Sequence, residues 1–250
     1  MGINEIDELV ISSLNSNQIL SMENRNLFKA IIKDCANYFN FYGVELNYDN
    51  ISMLLRDLGS AQDDTIHAIC EYDYENNQVL INKASDAAEQ EIEKSYINVV
   101  LSLISNPNQT EVLDETETLI PKCGLEFELN GSKKGHNLDK KMKERIIEMI
   151  YGNDENYKLP SIEDEFLIDV EKLVGAENIL VWFINGRGDL LFENIASKLG
   201  DESAKELYDV IDQYGNTDVN EIRELRLLEA KYEKIRANSL MKVDNNIIAL

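Results

Sequence analysis

Three segments between Ala68 and Ile150 decide the fold: AICEYDYENNQVLIN (68–82), EQEIEKSYINVVLSLIS (89–105) and LDKKMKERIIEMI (138–150). The first, taken with Thr65 to His67 before it, holds two β-prone runs, Thr65 to Tyr74 and Gln78 to Asn82, around the turn-forming pair Asn76-Asn77, which predicts a hairpin. In the second, Ile92, Tyr96, Val99, Val100, Leu103 and Ile104 recur at the spacing of a buried helix. Glu91, Ser95, Asn98, Ser102 and Ser105 form its polar flank. Asp86 followed by Glu89 makes a capping-box-like start, and Asn106-Pro107-Asn108 stops the helix. In the third segment Leu138, Met142, Ile146, Met149 and Ile150 restore a helical face, closed by Tyr151-Gly152. Between the two helices, the acidic run Glu111 to Thr118 reads as solvated loop or weak helix. Leu125, Phe127 and Leu129 then alternate like a short strand, and Asn130-Gly131 through Gly135 reads as turn and loop.

Working outward, Ile3, Ile6, Val10 and Leu14 predict a short docking helix. Leu27, Phe28, Ile31, Ile32, Cys35, Tyr38, Phe39 and Tyr42 predict a longer one, ended by Gly43. A short helix follows over Asp49 to Leu58, with Asp49 or Asn50 as its cap, and Gly59 opens a polar loop. Past the loop containing Pro160 the chain reads as helical throughout. Ser161 precedes Phe166, Ile168, Val170 and Leu173, with Gly175 as a stop. Ala176 to Asn185, Leu190 to Leu199 and the run through Leu207, Val210, Ile211 and Tyr214 follow, with Gly186-Arg187-Gly188 as a turn. A final helix is expected from Val219 to Val243. Its stripe of Val219, Ile222, Leu225, Leu228, Tyr232 and Ile235 either docks on its own domain or pairs subunits as a short coiled coil.

These patterns predict an α+β fold that is predominantly helical, with a small β hairpin or sheet and a C-terminal helical subdomain. Residues 1–64 form an N-terminal helical segment, 65–152 the core and 153–250 the helical subdomain, together one compact unit. With 44% apolar residues the chain can bury a substantial core without staples. Cys35, Cys70 and Cys123 lie far apart with no C-x-x-C spacing, which indicates neither a disulfide framework nor a structural zinc site and fits a reducing compartment. The first twenty residues lack the basic flank and apolar run of a secretory signal, and no segment has the apolar length to span a bilayer. A cytoplasmic protein is expected, without membrane contact. The net charge of -23, from 47 acidic and 24 basic residues, disfavours nucleic acid as a direct ligand. A basic partner or a mimic of DNA fits that charge, and so does plain solubility, which the dispersal of the acids favours.

In order along the chain, ENNQVLIN, a capped helix, KCGLEF, GHNLDKKMKE and LVGAENILVWFINGRGDLLFENI give a layout that resembles the zinc-metallopeptidase-like (HExxH, gluzincin-type) proteins of low-GC Gram-positive bacteria. The likeness covers roughly Ala68 to Leu199 and rests on order, spacing and hydrophobic pattern. It implies a metallopeptidase-like core over 65–152. In active members the first helix carries H-E-x-x-H, whose histidines lie on one face and hold zinc while the glutamate activates its water. A glutamate of the second helix is the third ligand. Carried over, the histidines fall at Asn98 and Ser102, the base at Val99 and the third ligand at Lys140. Glu144 matches a further acidic position. Every expected ligand is lost, and the chain's two histidines, His67 and His136, stand too far apart for any H-x-x-x-H pair. The resemblance therefore implies a pseudoenzyme of bacterial or phage source that binds a protein or small molecule at a pocket of Asn98, Val99, Ser102, Lys140 and Glu144, with no metal and no cofactor.

The residues also admit a plainer origin, in which Asn98 and Ser102 are the wet edge of an amphipathic helix. Two further functions stay open: a hydrolase using carboxylates in the same groove, or an acidic inhibitor that mimics nucleic acid. His67 reads as a packed or surface strand residue and His136 as a turn residue. Asn185-Gly186-Arg187-Gly188-Asp189 follows a helix and lacks the lysine of a phosphate loop, so it is a turn. Carboxylate pairs such as Asp63-Asp64 and Asp114-Glu115 are too common in so acidic a chain to mark glycosidase acids.

Overall fold

The computed structural model describes residues 3–66, 68–83, 89–107, 119–152 and 161–240. The expectations for His67, the Asp86 cap, the acidic run to Thr118, the Pro160 loop and the helix beyond 240 lie outside the described residues. Within them the protein is mostly helical, with ten α-helices and two three-stranded sheets. The chain divides into two compact units, Met1–Asn108 and Gln109–Leu250. The span 65–152, expected as one core, straddles that division.

The first unit contains α1 (Ile3–Ser16), α2 (Met22–Phe41), α3 (Tyr48–Asp57), β1 (Gly59–Gln62), β2 (Cys70–Asp73), β3 (Gln78–Ile81) and α4 (Glu89–Ile104). The hairpin turns where Asn76-Asn77 predicts it, with Asn77 in the left-handed region and Cys70 opposite Ile81, but its first arm begins at Cys70 and not at Thr65. Gly59 to Gln62, expected as loop, is instead a third strand running parallel to β3, with Gly59 opposite Gln78 and Gln62 opposite Ile81. Its sequence, GSAQ, has no branched or aromatic residue to announce a strand, and the open edge of β3 supplies the pairing. Helix α4 packs on β2, α2 and α3. It buries Ile97 and Leu101 as well as Val99, Val100, Leu103 and Ile104, while Ile92, expected on the buried face, is 38% exposed and Tyr96 is half-buried. Ser105, expected on the wet flank, is fully buried, and its Oγ donates to the Leu101 carbonyl at 2.8 Å.

Two asparagines tie this unit together. Asn17 is buried at the end of α1, donates to the carbonyls of Leu55 and Leu58 at 3.0 and 2.9 Å, and accepts from the amides of Ile19 and Leu20. The side chain thus closes both a turn and the α1–α3 contact. Asn50, expected as a cap, is buried instead and donates to the Asn106 carbonyl at 2.8 Å. The cap of α3 is Asn47, whose Oδ1 accepts from the Asn50 amide.

The second unit begins with an antiparallel meander, β4 (Leu119–Pro121), β5 (Phe127–Leu129) and β6 (Ser132–Lys134), of which only the β5 region was expected as strand. Six helices follow: α5 (His136–Tyr151), α6 (Ile162–Val174), α7 (Ala176–Ile184), α8 (Gly188–Leu199), α9 (Asp201–Asn216) and α10 (Ile222–Ile235), the last ending in one π-helical turn, Arg236–Leu240. Helix α6 starts on the capping box of Ser161 and Asp164. Its Phe166, with Phe127 of β5 and Phe192 of α8, packs edge-to-face on Tyr208 of α9, and Phe127 and Phe192 meet at a tilt. Helix α10 docks on α9 and buries Leu228, Tyr232 and Ile235, so the internal-docking alternative holds for that stripe. Val219 and Ile222, expected to share it, point outward. No helix of the described residues is long and apolar enough to cross a membrane.

Candidate functional site

The five expected pocket residues divide between the two units. Asn98, Val99 and Ser102 lie on α4 of the first. Asn98 is exposed, Ser102 is half-buried one turn on along the same flank, and Val99 is 1% exposed among the core side chains. Lys140 and Glu144 lie one turn apart on α5 of the second unit. Lys140 is exposed, and Glu144 is paired with Lys141 at 2.9 Å. Lys141 also reaches Asp164 of α6 at 3.5 Å, which makes this pair part of the α5–α6 contact. Among the described residues no group of three or more His, Cys, Asp or Glu side chains is placed to hold a metal ion.

A set of buried titratable groups that pattern reading missed lies at the N-terminal half of α5. The turn from β4 to β5 carries Cys123, Gly124, Leu125 and Glu126 against that helix. Asp139 is 2% exposed, accepts the Leu125 amide at 2.9 Å and pairs with Lys143 at 2.5 Å. Gly124, at φ +60, presses so close that a Cβ there would meet Asp139 Oδ1 at 2.0 Å. His136 Nδ1–H donates to Glu126 Oε1 at 2.8 Å. Burial would lower the pKa of the Lys143 ammonium, but the Asp139 charge and hydrogen bond raise it above its ordinary value. Burial pushes the Asp139 carboxyl up against the opposing charge of Lys143. The hydrogen bond to Glu126 raises His136. Burial would raise Glu126, but the His136 bond and the Lys143 charge bring it below its usual range.

Helix α5 is held from its other side by α9. The Asp212 carboxylate accepts the amides of Gly135 at 3.0 Å and Asn137 at 3.3 Å, and the Asn137 side chain donates to the Asp212 carbonyl at 2.9 Å. This carboxylate caps α5 in place of a local side chain, and Lys134 pairs with Asp209 one turn away. His136, expected in a turn, is therefore the first residue of a helix.

The chemistry of these groups is positional. Asp139 is inaccessible to a substrate and both its oxygens are committed, so it cannot serve as acid or base for an external molecule. Cys35 and Cys70 are buried, and burial pushes each thiol up to about 12, which keeps them protonated and unreactive. No family model, curated protein or solved structure matches the chain.

Proposed function

We propose that the chain is a non-catalytic binding protein on a degenerate metallopeptidase-like scaffold. One observation carries this reading: Val99, at the position of the water-activating base, is a packing residue buried to 1% exposure on α4. An apolar side chain there can neither orient nor deprotonate a water. The flanking ligand positions, Asn98 and Ser102, offer an amide and a hydroxyl, and Lys140 offers an ammonium that opposes a divalent cation. The positions proposed for binding are Asn98 and Ser102 on α4 of the first unit and, separately, Lys140 and Glu144 on α5 of the second. Three buried cysteines, none of them in a disulfide, support a reducing, cytoplasmic setting.

The test is zinc-dependent hydrolysis of a mixed peptide library, read by mass spectrometry. The purified chain is expected to leave the library intact whether or not zinc is added. Cleavage that appears with zinc and disappears with a chelator would refute the proposal.

A further inference from the structure

Strand β1 is an edge of the first unit's sheet, with β3 between it and β2. Its parallel register turns the backbone of Gly59, Ala61 and Asp63 toward β3. Gly59 N–H donates to the Asn77 carbonyl at 2.9 Å and Asp63 N–H to the Ile81 carbonyl at 3.1 Å. Strand alternation then turns the N–H and C=O of Ser60 and of Gln62 outward. Among the described residues these groups have no hydrogen-bond partner, and both residues are exposed. The strand is fixed where it begins as well, since the Leu58 carbonyl accepts from Asn17 at 2.9 Å. Sheet edges are ordinarily guarded by lysine, proline, a bulge or a covering helix. Strand β2, the opposite edge of this sheet, has α4 packed on it, β4 carries Pro121 and β6 carries Lys133 and Lys134. Strand β1, of sequence GSAQ, carries none of these residues.

We propose that the open edge of β1 takes an extended peptide as a fourth, antiparallel strand, with basic residues at the peptide's N-terminal end. A row of outward N–H and C=O groups is matched by another extended backbone. An antiparallel partner exchanges both bonds with Ser60 and both with Gln62, which satisfies every open group. The charges at the two ends of the strand set the partner's chemistry. Asp63 and Asp64 follow β1, and the Thr65 amide and hydroxyl donate to Asp63 at 2.9 and 2.6 Å, which holds that carboxylate in place. Before β1, Arg56 is already paired with Asp57 at 3.2 Å. One end is therefore acidic and the other balanced. An antiparallel partner passes its first residues by the acidic end, where lysine or arginine is the complement. A second copy of the chain lacks that complement, because its own β1 is entered through the Arg56-Asp57 pair and each copy carries a net charge of -23. Since β3 already holds the edge in strand form, binding orders the peptide alone. The site uses none of the positions proposed for binding on α4 and α5.

The test is isothermal titration of the whole 250-residue chain with the peptide acetyl-Lys-Lys-Thr-Val-Thr-Val-Thr-amide in about 0.15 M salt. Saturable binding with a Kd on the order of 100 µM is expected. The same peptide methylated at every backbone nitrogen of its Thr-Val core keeps the charge but loses the strand donors, and should bind at least about tenfold more weakly. Ser60→Pro with Gln62→Pro removes the donors of the open edge, spares the bonds to β3, and should weaken the parent peptide by a similar factor. Asp63→Asn with Asp64→Asn should weaken it about threefold or more. The methylated peptide reads the same hydrogen bonds without altering the protein, so the result does not depend on the proline variant folding. Absence of binding at about 1 mM peptide overturns the proposal. So does a methylated peptide that binds as tightly as the parent, which would reduce the contact to charge alone. A chain that dimerises without peptide, and stops doing so with Ser60→Pro and Gln62→Pro, would give the edge to a second copy and overturn it too.

Discussion

Lys143 neutralises a carboxylate buried in the second unit. Its ammonium is the charge that lets Asp139 sit buried against the Leu125 amide. Replacing it with methionine leaves a buried carboxylate with one donor, and removing one partner of such a pair costs about 3 kcal/mol. Lys143→Met should therefore lower the urea midpoint clearly, and adding Asp139→Asn should recover part of the loss. The neighbouring pair, His136 and Glu126, gives a pH signature whose direction follows from linkage. His136 is raised above 6.5, so its stabilisation is complete below that value and is lost as pH rises through its folded pKa. Glu126 is lowered below 4.5, so its stabilisation is complete above that value and is lost as pH falls. The melting-temperature gap between the parent chain and His136→Gln should be widest between these two values and should close in mildly alkaline buffer. The effect is small, since the His136 side chain is 63% exposed and solvent screens it. A gap that is flat with pH would show the pair to be inert. The spacing of Asp139 and Lys143, four apart, was readable in the sequence. Their burial was not, because it comes from the β4–β5 turn folding over α5 through Gly124.

At the scale of elements, the helices announced themselves wherever an apolar stripe faced a core. Helix α2 runs within a residue or so of its expected limits, and α6 begins on the Ser161 cap. Pattern reading missed the elements defined by a partner distant in sequence. Strand β1 exists because β3 offers an edge, and β4 and β6 exist because β5 lies between them. The start of α5 is set by Asp212, 75 residues on from Asn137, which no local rule anticipates. Asp212→Ala removes the acceptor of two helix-terminal amides and should cost about 1–2 kcal/mol in chemical denaturation. An unchanged denaturation curve would mean that water caps α5 equally well. Helix α10 divided its expected stripe. Leu228 and Tyr232 were placed correctly, while Val219 precedes the helix and so escapes its periodicity.

For the whole molecule, the mostly helical α+β class was legible, while the division after Asn108 was not, because the hairpin and α4 read continuously with the strand and helix patterns from Leu125 to Ile150. The candidate site was legible only as positions. The resemblance alone implied a lost metal site at Asn98, Val99, Ser102 and Lys140; the structure shows Val99 packed in the core, as its apolar character foreshadows. Under the proposed function these positions bind without metal chemistry. Equilibrium dialysis of the purified chain against micromolar zinc, with the bound metal counted by plasma mass spectrometry, checks this. An amide, a hydroxyl and an ammonium cannot replace imidazoles and a carboxylate, so well below one zinc per chain is expected; one tightly held zinc per chain, released by substituting Asn98 or Ser102 with alanine, would overturn the proposal.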